Sequence, residues 1–205
     1  MFYFLNKIIK TIILILAVIG FIAIGGLTFV REHINFSFLD NKDSKIEKAG
    51  KTADFSKIDK EFEIISAGNI PFTGEYVYIK HAAGGQKFIF FTPKDQKALT
   101  KEDFSSQTAI NEKINNFVNS FNILGFKFEN FKITGNGSMN AINQNIPFVK
   151  FESDIVNLPV RGTQGIIGAS RIKDDKNTVI ISFNTSGKYS HIITTVFLSE
   201  VNINK

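Results

Sequence analysis

Residues 146–156 read IPFVKFESDIV, and the alternation inside this stretch points to the fold class. In an extended chain Val149, Phe151, Ser153 and Ile155 share one face, while Lys150, Glu152 and Asp154 share the other, because successive strand side chains point to opposite sides. Alternation of this kind predicts an antiparallel sheet with one covered face and one wet face. Working outward, EYVYIKH (75–81) and QKFIFFT (86–92) are aromatic and β-branched runs separated by Ala82-Ala83-Gly84-Gly85. They read as a β-hairpin, with Pro93 ending the second strand. FKFENFKITGNG (126–137) gives a strand and a turn, and GIIGASRIK (165–173) gives a further strand. NTVIISFNTSGKYSHIITTVFL (177–198) reads as two strands around a turn at Asn184-Thr185-Ser186-Gly187.

One soluble helix interrupts the strands. Thr100 and Asp103 have capping-box spacing, and Glu102 and Asp103 place negative charge where a helix dipole favours it. Ile110, Ile114, Phe117, Val118 and Phe121 then form one apolar face, and Gly125 supplies a stop. This helix is the expected cover of the sheet.

The amino-terminal stretch IIKTIILILAVIGFIAIGGLTFVREH (8–33) contains twenty consecutive uncharged residues, 11–30. As a helix they would span about 30 Å, the thickness of a bilayer's hydrocarbon core. Lys7 and Lys10 precede the run, so the positive-inside rule keeps the amino terminus cytoplasmic and carries the rest across. The alternative is a cleavable signal peptide with Ala23-Ile24-Gly25 as a small-x-small site. Leu27 to Val30 prolong the apolar run past that site, which favours a retained anchor. Either way the remainder is placed outside the cytoplasm.

The expected fold class is therefore α+β: an amino-terminal transmembrane helix, then one domain with an antiparallel sheet covered by an amphipathic helix. The expected divisions are a membrane anchor at 1–33, a charged stalk or linker at 34–63 and an extracytoplasmic α+β domain at 64–205. Within the stalk, thirteen of the twenty-four residues 40–63 are charged, with signs mixed. Such a segment buries little apolar surface, although Phe55, Ile58 and Phe62 have the spacing of a short docking helix.

The 205 residues include no cysteine, which excludes disulfides, thiolate metal sites and cysteine nucleophiles. The net charge is +5, and residues 64–205 hold fifteen basic and eleven acidic side chains. That scattered excess does not make a nucleic-acid footprint. His33, His81 and His191 lack metal-ligand spacing. Ser190 and His191, as neighbours on a strand, would point to opposite faces and could not act as nucleophile and base. AAGGQK (82–87) lacks the order of a phosphate loop and reads as a turn. Glu152 and Asp154 share a face with Lys150 and read as a solvated charged surface.

No catalytic, cofactor-binding or metal-binding residue is assigned, and no cofactor is expected. The partner-binding candidates are Arg161, displayed in NLPVRGTQG (157–165), with Arg171 and Lys173 on the next strand. An arginine on a Gly/Pro loop is suited to gripping a carboxylate.

The segment GNGSMNAINQNIPFVKFESDIVNLPVRGTQG (135–165) is a turn, a Pro-led strand ending in acidic residues, and a Gly-flanked strand. With the order hairpin, helix and strands, it resembles the PsbP/Mog1-like α/β sandwich domains over about residues 70–200. The terminal helix common in such domains is missing from this reading, which ends on a strand. The resemblance implies an accessory or binding factor of a larger assembly. The function expected is thus an anchored extracytoplasmic accessory protein, a subunit or assembly factor of an envelope complex. Its partners would be the lipid bilayer through residues 11–30 and an envelope protein, with no nucleic acid. The alternative is an anchored or secreted hydrolase or small-ligand-binding protein, which would need His81, His191, Glu152 or Asp154 to converge.

Overall fold

The computed structural model describes residues 42–70, 72–120, 127–156, 162–185 and 188–202. Seven strands form one antiparallel sheet: β1 (Phe62–Ile70), β2 (Gly74–His81), β3 (Gln86–Pro93), β4 (Phe128–Ala141), β5 (Gln144–Ile155), β6 (Thr163–Arg171) and β7 (Asn177–Asn184). Their spatial order is β1-β2-β3-β7-β6-β5-β4. Two meanders, β1–β3 and β4–β6, are thus joined by the last strand, which is buried throughout. Among the described residues three α-helices accompany the sheet: α1 (Lys42–Ala49), α2 (Gln107–Ser120) and α3 (His191–Glu200).

Both faces of the sheet are covered. On one, Phe197 and Leu198 of α3 pack with Phe62, Val77, Ile79, Phe88, Phe90, Phe148 and Ile180. On the other, Ile110, Ile114, Phe117 and Val118 of α2 pack with Ile89, Phe91, Val149, Phe151, Val179 and Ile181. The alternation read from residues 146–156 is present, but the second face is wet only towards the end that carries Lys150 and Glu152.

The expected α+β architecture, with its transmembrane helix and single covering helix, is corrected by these observations. The described chain is dominated by the seven-stranded sheet, and none of its helices is long and apolar enough to cross a membrane. The longest, α2, has 14 residues, about 21 Å at 1.5 Å per residue, and one of its faces is polar. The single-pass membrane reading therefore has no counterpart in the described architecture. Residues 11–30, on which it rested, lie outside the described residues.

Other differences are local. The second strand expected within 177–198 is α3. Its β-branched residues favour a strand by propensity, but Ser190 Oγ accepts the Ile193 N–H at 3.3 Å, and Thr194, Phe197 and Leu198 bury one helical stripe. Tertiary burial overrides propensity, and the terminal helix missing from the sequence reading is present. The turn expected at Gly135–Gly137 is also absent, because β4 runs through it. The reversal comes at Ile142 and Asn143, with φ of 53° and 54°, the pattern of a two-residue type I′ turn. The Thr100 N–H donates to Asp103 Oδ2 at 2.8 Å, but this cap opens a short 3-10 turn, Lys101–Ser105, ahead of α2. Phe121 and Gly125 lie outside the described residues. Finally, the expected stalk belongs in part to the domain. Ala49, Ala53 and Phe55 are core residues, and Asp54 exchanges backbone bonds with Asn202 at 3.0 and 3.1 Å.

Candidate functional site

The β1–β2 hairpin closes on the Ile70–Gly74 pair, leaving Phe72 at its tip. This side chain is 91% exposed, and its φ is 65°. A bulky residue in the left-handed region is a steric outlier. The tip is held from below. Thr73 N–H donates to Ile70 O at 3.1 Å, and Lys94 N–H donates to Thr73 O at 2.8 Å. Gly74, at φ 150°, has no room for a side chain, since a Cβ there would lie 2.2 Å from Thr92 O. The close approach of β2 to β3 is thereby fixed, and with it the aim of the loop.

Around Phe72 the surface is cationic and grooved. Lys94 Nζ stands 5.8 Å from the ring centroid, within reach of a cation–π contact. A cleft of about 360 Å³ beside the ring is lined by Asn69, Thr92, Gln96, Lys94 and Lys176, with Glu75 as its acidic member. Gln96 is fixed in the wall, its Oε1 accepting the Asn177 N–H at 2.6 Å. The arrangement is an exposed aromatic projection beside two lysines, of which Lys176 also pairs with Asp174 at 3.9 Å. It is suited to entering an apolar pocket that has an acidic rim.

The residues named from sequence are spread over the molecule. Arg161 lies outside the described residues, as does His33. Arg171, half exposed at the end of β6, bonds Asp175 Oδ2 at 3.1 Å and Glu102 Oε1 at 3.3 Å. The Glu102 carboxyl is held below its usual range, first by its own backbone N–H and further by Thr100 and the Arg171 guanidinium. Lys173 Nζ donates to Gly50 O at 2.7 Å, tying the β6–β7 connection to the end of α1. Both cations are tied within the domain.

His81 is buried at the end of β2. Its Nδ1 accepts the Gly84 N–H at 2.8 Å, so the neutral ring carries its proton on Nε2, 3.0 Å from Glu61 Oε2. His191 opens α3, with its ring centroid 5.5 Å from that of Phe148. Asp154 accepts from Asn130 Nδ2 at 2.8 Å and from Gly162 N–H at 2.9 Å. Glu152 on β5 and His81 on β2 are separated by β6, β7 and β3, four strand spacings or roughly 19 Å. Glu152 and Asp154 line one shallow cleft with Lys132, but His81 lies on the far side of the sheet from it. Among the described residues no cluster of three or more acidic or histidine side chains could hold a metal ion.

Sequence reading missed Phe72, although one signal was present. IPFTG (70–74) puts a phenylalanine where a tight turn would favour Gly or Asn. Comparison with family models and with curated proteins returns no match for this chain.

Proposed function

We propose that this chain is an accessory or binding protein acting outside the cytoplasm at the cell envelope, as a subunit or assembly factor, and that its domain grips a protein partner through the β1–β2 tip. The observation that carries the reading is Phe72, which has no folding role to account for it. A left-handed backbone costs about 1–2 kcal/mol in an L-residue, and an exposed ring recovers none of it by burial. Strain of this kind persists at binding sites, and buried aromatic anchors dominate many interfaces. The placement outside the cytoplasm rests on the sequence, since both readings of residues 11–30 export the chain beyond them. The resemblance to PsbP/Mog1-like accessory domains points the same way. The competing hydrolase reading loses support from the separation of His81 and Glu152.

The test is affinity capture with the full chain from mild-detergent extracts, compared with Phe72→Asn. Asparagine tolerates the left-handed region, so the variant should melt at the same temperature or higher. A discrete protein recovered with the parent chain, and with Asn119→Ala on the exposed face of α2, should be lost with Phe72→Asn. Equal recovery by all three would remove the hairpin tip from the binding role.

A further inference from the structure

The register of β2 and β3 places Lys80 directly opposite Lys87. Opposed residues of an antiparallel pair share a face, with Cβ atoms about 4.5–5.5 Å apart, and like charges there are destabilising. The face is the one that carries Ile89 and Phe91, further along β3, into the core under α2. Lys80 is exposed, whereas Lys87 is half-buried. Burial, and after it the Lys80 charge, hold the Lys87 amine below the usual lysine range.

Nothing in the described domain neutralises this pair. Among the described residues neither lysine forms an ion pair. Glu63 stands opposite Lys80 on β1, on the side away from Lys87, and no ion pair joins it to Lys80. The Lys87 ammonium has a neutral partner instead, donating to Thr185 Oγ1 just past the end of β7. Phe183 is the β7 residue opposite Lys87, so this bond draws the amine along the sheet towards buried Thr185. The Thr185 hydroxyl accepts that bond and keeps its own proton to donate. A charge taken partly out of water without a counter-charge is costly, and a like charge beside it adds to the cost. The fold gains no ion pair in return.

We infer that Lys80, Lys87 and the Thr185 hydroxyl bind a phosphate group, free or at the end of a small phosphate monoester. The donors arrive from β2, β3 and the end of β7, not from one planar fork. Lysines act as point charges, and a tetrahedral phosphate offers acceptor oxygens in several directions, where a carboxylate offers two in one plane. At neutral pH a phosphate monoester also carries about −1.5 to −2 charge, which matches two ammonium groups. The site is separate from the hairpin tip, because Lys80 and Phe72 lie at opposite ends of β2.

Equilibrium dialysis of the detergent-solubilised full chain against labelled inorganic phosphate, with ionic strength held by chloride, should show saturable binding. Lys87→Met and Lys80→Met should each weaken it about tenfold, the loss of one charged hydrogen bond. Lys132→Met, exposed on β4, and Phe72→Asn should leave it unchanged. Without phosphate, Lys87→Met should melt at or above the parent's temperature, since it relieves the opposed charges. A second readout needs no variant: phosphate should slow acetylation of Lys87 by acetic anhydride, mapped by mass spectrometry, and leave Lys132 unaffected. Glycerol 3-phosphate distinguishes the sources, because tighter binding than inorganic phosphate assigns a monoester and weaker binding assigns the free ion. The inference is overturned if neither ligand saturates the chain, if binding ignores both lysine substitutions, or if phosphate leaves Lys87 acetylation unchanged.

Discussion

Two residues with left-handed backbone show how the same strain is accounted for differently. Ile142 has φ 53° but is 2% exposed within the core beneath α3. Burial of an isoleucine contributes about 1.5–3 kcal/mol, enough to offset the strain. Phe72 has no such compensation, which is why its strain points to binding. Tyr189 illustrates the opposite case, a polar group fully committed to the fold. Its hydroxyl donates to Thr194 Oγ1 at 2.9 Å, and Thr194 in turn meets Ser182 Oγ at 2.9 Å and Gln86 Nε2 at 2.7 Å. Burial, partly countered by hydrogen bonds to Thr194 and Ser182, pushes the phenol up to about 12 from 10.0. A folded pKa above the unfolded one means that the native state favours the protonated form. The stability linked to Tyr189 is thus complete below pH 10 and is lost as pH rises through 12. Urea midpoints should fall across that interval, and Tyr189→Phe should remove this part of the fall. At neutral pH the same change should cost about 1 kcal/mol. An unchanged alkaline slope in the variant would assign the loss to other groups.

At the scale of elements, α1 and the segment after it test where the domain begins. Ala49, Ala53 and Phe55 are buried with Phe62 and Phe90, and the Phe55 ring meets Phe90 edge-on at 5.2 Å. A chain truncated to begin at Ile64 removes these contacts and exposes the Phe88–Phe90 face. It should lose cooperative melting or denature at markedly lower urea than a chain beginning at Lys42. Equal midpoints would return residues 42–63 to the role of a linker. The charge of this segment hid its role, and Ala49 and Ala53 are too small to signal burial. The spacing of Phe55, Ile58 and Phe62 suggested a docking helix where the chain is an irregular segment leading into β1. The β2–β3 hairpin and the inward face of α2 were legible, since aromatic runs and a 3.6-residue period survive without tertiary context. By contrast, α3 was not legible, because HIITTVFL carries strand propensity and only burial against Phe88 and Ser182 makes it a helix. The site was hidden for a related reason. Exposure of Phe72, like the engagement of Arg171 and Lys173, is set by neighbours distant in sequence.

At the largest scale, the described domain is a sheet between two apolar layers, and β7 belongs to both. Ile180 faces the core under α3, and Ile181 faces the core under α2. Each is almost fully buried, so removing one methylene from either should cost about 0.5–1.5 kcal/mol. The two layers share every strand, and β7 is hydrogen-bonded to β3 on one side and β6 on the other. Loss of either layer would leave the opposite face of the same strands without support, so neither core should survive alone. Ile180→Val and Ile181→Val should therefore each shift one common unfolding transition, with the urea dependence of stability unchanged. Although the two residues are adjacent, their side chains share no packing partners. The double variant should lose the sum of the single losses to within about 0.5 kcal/mol. A biphasic curve in either single variant would show two separately stable layers. A large departure from the sum in one transition would show that β7 transmits packing changes from one core to the other.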